Sequence, residues 1–273
     1  MLCKFLTAAA LLCAAAVPAL ATSPSTDGTA TGEFSGTTSG TASLTTTQTN
    51  DEVIVVVFAE NTSGSSPTVN VPTSSHLTFA QRGTTLQSTP AAGCLVSLAV
   101  FYAFSAGTLS SETITASTGA SVDGASINVF GVHGVYSSAA AWDPDASLPK
   151  QTTISSIGNH DTNAISTTNP DDLLIIALGY CQNSVWPAMC LPNFSVCSSM
   201  TSNIVNHREG SGVNWVWGGA TGYTYSAAQS GVTPGMLASS GLAGFVTIAD
   251  ALTADAPPAS GGSGGLMLLG VGN

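Results

Sequence analysis

Several groups of residues have the types and spacing that chemistry needs. Gly261-Gly262-Ser263-Gly264-Gly265 matches the G-x-S-x-G pattern of a nucleophile elbow. That elbow presents its serine only where a strand enters and a helix leaves. Here the flanks are Pro257 to Ser260 and a Leu-Met-Leu-Leu end, so the segment reads as a linker. Asp51-Glu52 and Asp171-Asp172 are adjacent acids of the kind used in acid–base work or for a hard cation. Each pair directly precedes an apolar run, where Asn and Asp make turns by bonding their own backbone, and that reading covers both copies. Asp143-Pro144-Asp145 has acids for calcium but lacks the spacing, glycine and terminal glutamate of an EF-hand loop, so it reads as a turn. His76, His133, His160 and His207 are scattered, and His207-Arg208-Glu209 reads as a local surface ion cluster. With serine this abundant, residue types alone assign no Ser–His–Asp set. No catalytic residue, metal ligand or cofactor is assigned, and the chain is expected not to be an enzyme.

Two further groups point to binding and cross-linking. Trp186, Trp215, Trp217, Tyr223 and Tyr225 make the second half aromatic. Such rings stack on the apolar faces of sugars, with polar neighbours reading the hydroxyls, and they are the candidate binding residues. Trp215 and Trp217 share one face of a strand, which suits core packing as well as a glycan. Beyond Cys3 and Cys13 the chain holds Cys94, Cys181, Cys190 and Cys197. In an oxidising compartment they can pair, and Cys181, Cys190 and Cys197 are the candidate disulfide residues, with connectivity open. Their irregular spacing lacks a C-x₂-C knuckle and does not suit zinc.

Composition says which elements position these residues. Charged residues make up 7% of the chain, against about 25% in ordinary soluble proteins, so long Lys/Glu-rich helices are almost excluded. Four Lys and Arg stand against fifteen Asp and Glu, for a net charge of -11. So few cations cannot neutralise many phosphates, which argues against nucleic acid and against an anionic membrane surface. Residues 1–21 read as a secretion signal, with Lys4, the apolar Phe5 to Val17 and the small-residue end Pro18 to Ala21. No membrane span is expected once it is removed, because the apolar run falls short of the ~20 residues a spanning helix needs.

Along the chain, residues 22–42 are rich in Ser, Thr and Gly and read as a flexible lead, with an edge strand near Gly32 to Phe34. Ser43 to Asn61 reads as two successive strands forming a hairpin about Thr49-Asn50-Asp51. Short runs fenced by Gly, Ser, Pro or Asn predict strands at Thr68–Val71, Leu77–Arg82, Leu95–Phe104, Glu112–Ser117 and Ser126–Val132. That density suits a Greek-key sandwich or jelly roll. Residues 142–150 read as a hinge. Ala164 to Asn183 then echoes the opening stretch, with Asp171-Asp172 answering Asp51-Glu52 and Leu173–Leu178 answering Val53–Phe58. The expectation is an all-β protein of two tandem or intimately packed Greek-key or jelly-roll-like halves, 43–141 and 151–254, before a flexible tail at 255–273. Leu266 to Leu269 in that tail could dock on a neighbouring subunit by strand addition, which would make a homo-oligomer.

TTTQTNDEVIVVVFAEN, FYAFSAGTLSSETITAS, INVFGVHG with WDPDASLP, and STTNPDDLLIIALG carry a resemblance, extended by SAAQSGVTPG, FVTIADALT and the glycine-rich tail. The chain resembles poorly characterised β-sandwich proteins of bacteria and tailed phages. The resemblance implies a cell-surface or virion protein and carries no catalytic signature. The functional expectation is a secreted or virion-surface structural or adhesion protein, with a carbohydrate-binding module as the alternative.

Overall fold

Val53 to Phe58 is a run of β-branched and aromatic residues with no polar face, so a strand made from it must be covered on both sides. In the computed structural model that strand is the middle of a five-stranded sheet. The structure describes residues 24–91, 94–135, 141–154, 159–161, 164–169, 171–182, 189–190, 201–208, 215–224, 228, 230–231, 235–238 and 242–254. The signal and tail assignments, with Gly261 to Gly265, lie outside the described residues.

The first half contributes β1 (Ser25–Phe34), β2 (Ser39–Leu44), β3 (Asp51–Asn61), β4 (Ala80–Ala91), β5 (Cys94–Ser105), β6 (Glu112–Ser117) and β7 (Gly124–His133). The second contributes β8 (Lys150–Ile154), β9 (Asn159–Asp161), β10 (Leu173–Gln182), β11 (Met189–Cys190), β12 (Thr201–Arg208), β13 (Trp215–Thr224), β14 (Gly235–Ala238) and β15 (Leu242–Leu252). The described part is all-β. One large sheet runs β1-β7-β3-β5-β4 and the other β8-β15-β10-β13-β12; smaller sheets join β2 to β6 and β9 to β14 to β11. All strand pairs named in these sheets are antiparallel.

Strand period two divides β3 between two cores. Ile54, Val56 and Phe58 pack with Val96, Leu98 and Val100 and with Leu173, Ile175, Ala177, Val246 and Ile248 of the second large sheet. Val53, Val55 and Val57 pack with Leu44, Ile114 and Ala116 of the β2–β6 layer. The large sheets therefore lie face to face, and each of these six β3 residues is fully buried. On the far side of the second sheet, Leu174 and Ala249 pack with Ile165.

Two expectations are corrected. Most of the stretch read as a flexible lead forms β1 and β2: β1 pairs with β7 from Ser25↔His133 to Phe34↔Ala125, and β2 pairs with β6. The edge strand expected near Gly32 to Phe34 is the end of β1, and the small polar residues hide its extension back to Ser25 because only Asp27 and Phe34 of β1 are buried. The hairpin about Thr49 to Asp51 is also absent. β2 and β3 do not pair but lie in different layers, and the chain crosses between them at Asn50, which takes the left-handed φ of 61° that Asn tolerates. Residues 142–150, read as a hinge, are tied down at Trp142, which bridges to Leu252, and at Lys150, which opens β8.

Candidate functional site

The acids read as turn punctuation have a second role inside the fold. Asp51 is fully buried at the start of β3, 3.2 Å from His133 Nδ1 through its Oδ1, and hydrogen-bonds the Asp27 carboxyl of β1. Asp27 in turn accepts the Thr47 amide at 2.8 Å, the Gln48 amide at 2.6 Å and the Thr47 hydroxyl at 2.7 Å. Burial pushes Asp27 up, but those hydrogen bonds outweigh it and hold its carboxyl below the ordinary value. Asp51 goes the other way, raised by burial and then by the Asp27 carboxylate. One proton shared between two carboxyls satisfies this geometry.

The second half repeats the arrangement. Asp172 hydrogen-bonds Asp143, and Asp143 accepts the Thr168 amide at 2.7 Å and the Thr168 hydroxyl at 2.8 Å. Burial, and then Asp143, raise Asp172 to about 8, while the bonds Asp143 accepts hold it low against its own burial. Thr47 and Thr168 each stand four residues before the buried acid, and Asn50 and Asp171 each have a φ of 61° just before it. Within Asp171-Asp172, Asp172 is the buried acid and Asp171 the turn residue with the left-handed φ. The Asp143 to Asp145 segment is likewise a knot of such bonds, Asp145 N to Asp143 Oδ1 and Ser147 N to Asp145 Oδ1, both 2.7 Å. These carboxyls tie loops to strand ends.

Between the large sheets, Arg82 of β4 donates to Asp250 of β15 through Nε at 2.7 Å and Nη2 at 3.2 Å. Its guanidinium lies 4.9 Å from the Trp142 ring, which meets Tyr102 edge-on at 5.5 Å. Burial raises the Asp250 carboxyl and the Arg82 hydrogen bond opposes it.

Among the predicted binding aromatics, Trp186 and Tyr225 lie outside the described residues. β13 carries Trp215, Trp217 and Tyr223, which the register sets opposite Gln182, Tyr180 and Leu174. Cys94 is buried and disulfide-bonded. Cys181 lies in β10 and Cys190 in β11, while Cys197 lies outside the described residues. No group of His, Cys, Asp and Glu suited to a metal occurs among the described residues, and no described helix is long and apolar enough to cross a membrane.

A second cluster escaped sequence reasoning. His76 and Glu112, 36 residues apart, meet at 2.6 Å between Nδ1 and Oε2. The Thr73–Thr115 bridge lays the 74–76 segment along the start of β6. There Glu112 also accepts the Ser75 and His76 amides at 3.1 Å each, the Ser75 hydroxyl at 3.0 Å and the Ser74 hydroxyl. Burial raises Glu112, but the hydrogen bonds from Ser74 and His76 prevail and hold it down at about 2. Beside them an open groove of about 580 Å³ is lined by His76, Phe104, Ser105, Thr108, Leu109 and Ser110 among others. No sequence spacing signals this pair, because both contacts are long-range.

No family model, curated protein or solved structure matches the chain.

Proposed function

We propose that this chain is a duplicated jelly-roll protein of the cell exterior or virion surface, with a non-catalytic structural or adhesive role. One observation carries the reading. The two large sheets have the same strand order when β1, β7, β3, β5 and β4 are set against β8, β15, β10, β13 and β12, and they pack through corresponding faces. Their contacts also correspond: β7 packs on β13 and β12, and β15 packs on β5 and β4. Such reciprocity is the mark of an approximate two-fold relation.

Within the first half the chain alternates between layers. β1, β3, β5 and β7 fall in the large sheet, while β2, the segment bridged at Val69 to Thr118 and at Thr73 to Thr115 of β6, and β6 itself fall in the other. That alternation supports a jelly roll, with β4 added beyond β5. The repeated carboxyl pairs support the structural role, since each fastens a loop to a strand end. The surface character follows from the signal-like start, the low charge and the resemblance to bacterial and phage surface proteins.

The test is expression of the full chain in a bacterial host, with antibody labelling of intact cells, medium and cytosol, and a parallel panel of glycoside and ester substrates. Labelling outside the cytosol and no turnover are expected. Turnover that a single groove substitution abolishes would overturn the non-catalytic reading, and retention in the cytosol would overturn the exterior one.

A further inference from the structure

We propose that the groove beside His76 binds the sugar rings of a neutral glycan, with Phe104 as the stacking platform and His76 Nε2 as the hydrogen-bonding partner of a sugar hydroxyl. The inference rests on the adhesive reading above and names its ligand. Phe104, next to the end of β5, is 40% exposed, one of two large hydrophobics so exposed among the described residues. It lines a groove whose volume falls within the roughly 300–1,000 Å³ of small-molecule sites. An aromatic face in such a groove offers the apolar side of a pyranose the contact it lacks in water.

The polar side of the groove is equally defined. Both side-chain hydrogen bonds of the His76 ring are made at Nδ1, to Glu112 and Ser75, which leaves Nε2 to whatever enters. Glu112 accepts the proton on Nδ1, and Nε2 is the ring's remaining polar atom, able to bond a sugar hydroxyl. The His76 side chain is 73% exposed, whereas that of Glu112 is 7% exposed, so the histidine and not the acid meets the ligand. Thr108 and Ser110 add hydroxyls to the lining.

Charge selects against other ligands. Among the described residues the lining holds no Lys or Arg, so a sulfate, phosphate or carboxylate would find no counter-charge there in a protein of net charge -11. A cation would find Glu112 already occupied by five hydrogen bonds. A neutral polyol needs neither.

The experiment is a glycan array carrying neutral, sialylated and sulfated structures, probed with the full chain, followed by calorimetric titration of the strongest neutral glycan. Binding to neutral glycans is expected, weakened at least tenfold by Phe104→Ala and by His76→Ala. Phe104→Leu, which keeps apolar bulk without the ring, guards against loss of fold and should weaken binding as well; circular dichroism confirms that each variant is folded. A folded protein silent on all neutral glycans would overturn the proposal, as would binding confined to the acidic ones. Neutral binding that these variants leave within twofold would place the site elsewhere. The adhesive reading is judged separately by the surface labelling, so the two can fail independently.

Discussion

Phe58 of β3 fills the space that Gly179 of β10 leaves open: a Cβ built on Gly179 would stand 1.9 Å from Phe58 Cδ2. The ring is fully buried between the two large sheets, so their separation at this point depends on a missing side chain. Gly179→Ala should therefore cost about 1–3 kcal/mol through overpacking. Phe58→Leu should recover part of that loss in the double variant, because residues in contact couple non-additively. Urea unfolding of the four proteins measures the coupling, and simple additivity would show that the glycine serves some other purpose.

The two carboxyls of the Asp143–Asp172 pair should differ in what they tolerate. Asp172, raised to about 8, is mostly protonated at pH 7 and donates to Asp143, a role an amide can fill. Asp143 accepts the Thr168 and Asp145 amides and cannot lose its charge so easily. Asp143→Asn should cost about 1.5–3 kcal/mol, as hydrogen bonds to charged groups do, and Asp172→Asn under about 1 kcal/mol. Thermal unfolding at pH 7 compares them, and equal losses would contradict the shared proton.

Stability should peak in mild acid. Burial raises Glu52 to about 7, and burial with the Asp123 charge raises Glu60 to about 8. With Asp172, these groups bind more protons folded than unfolded between about pH 4 and 8, so their stabilisation is full below their unfolded values and is lost as the pH climbs through that window. Glu112, held at about 2, acts oppositely: its contribution is present above 4.5 and disappears as the pH falls toward 2. The melting temperature should therefore be highest near pH 4–5 and decline toward pH 8, with Glu52→Gln and Glu60→Gln flattening the decline. A melting temperature that rises steadily from pH 5 to 8 would refute the burial of these glutamates.

Removing one partner of the Arg82–Asp250 pair should be far worse than removing both. Arg82→Ala leaves a carboxylate buried between the sheets and should cost about 3–5 kcal/mol. Arg82→Met with Asp250→Leu replaces the pair by apolar bulk and should restore most of that stability. Denaturant titration distinguishes the two, and a small loss for Arg82→Ala would mean that water reaches Asp250.

The strands that could be read from the sequence are those whose residue types demand burial. Val53–Phe58, Leu95–Phe104, Ser126–Val132 and Leu173–Leu178 fall within β3, β5, β7 and β10. Of β1 only the end near Gly32 to Phe34 was legible as an edge strand, because STDGTATGEF has almost no apolar residue, and the rest is settled by its pairing with β7. Leu44 and Val53 looked like the two sides of a hairpin because a turn residue lies between them, yet sheet membership is decided by partners far along the chain. The groove was illegible for the same reason: Ser74, His76, Phe104 and Glu112 carry no mutual spacing, and only the fold makes them neighbours. Asp171 and Asp172 are chemically alike, and only burial tells the turn residue from the buried one.

β3, covered on both faces, has a consequence for how this protein can change over time. A strand with one wet side can drift there at little cost, but from Val53 to Ala59 every position faces a packed layer. Divergence is therefore channelled outward, into exposed stretches such as Thr62 to Ser65 and Ala106 to Thr108. The second of these lines the groove, so change where the fold tolerates it would also reshape the groove's lining.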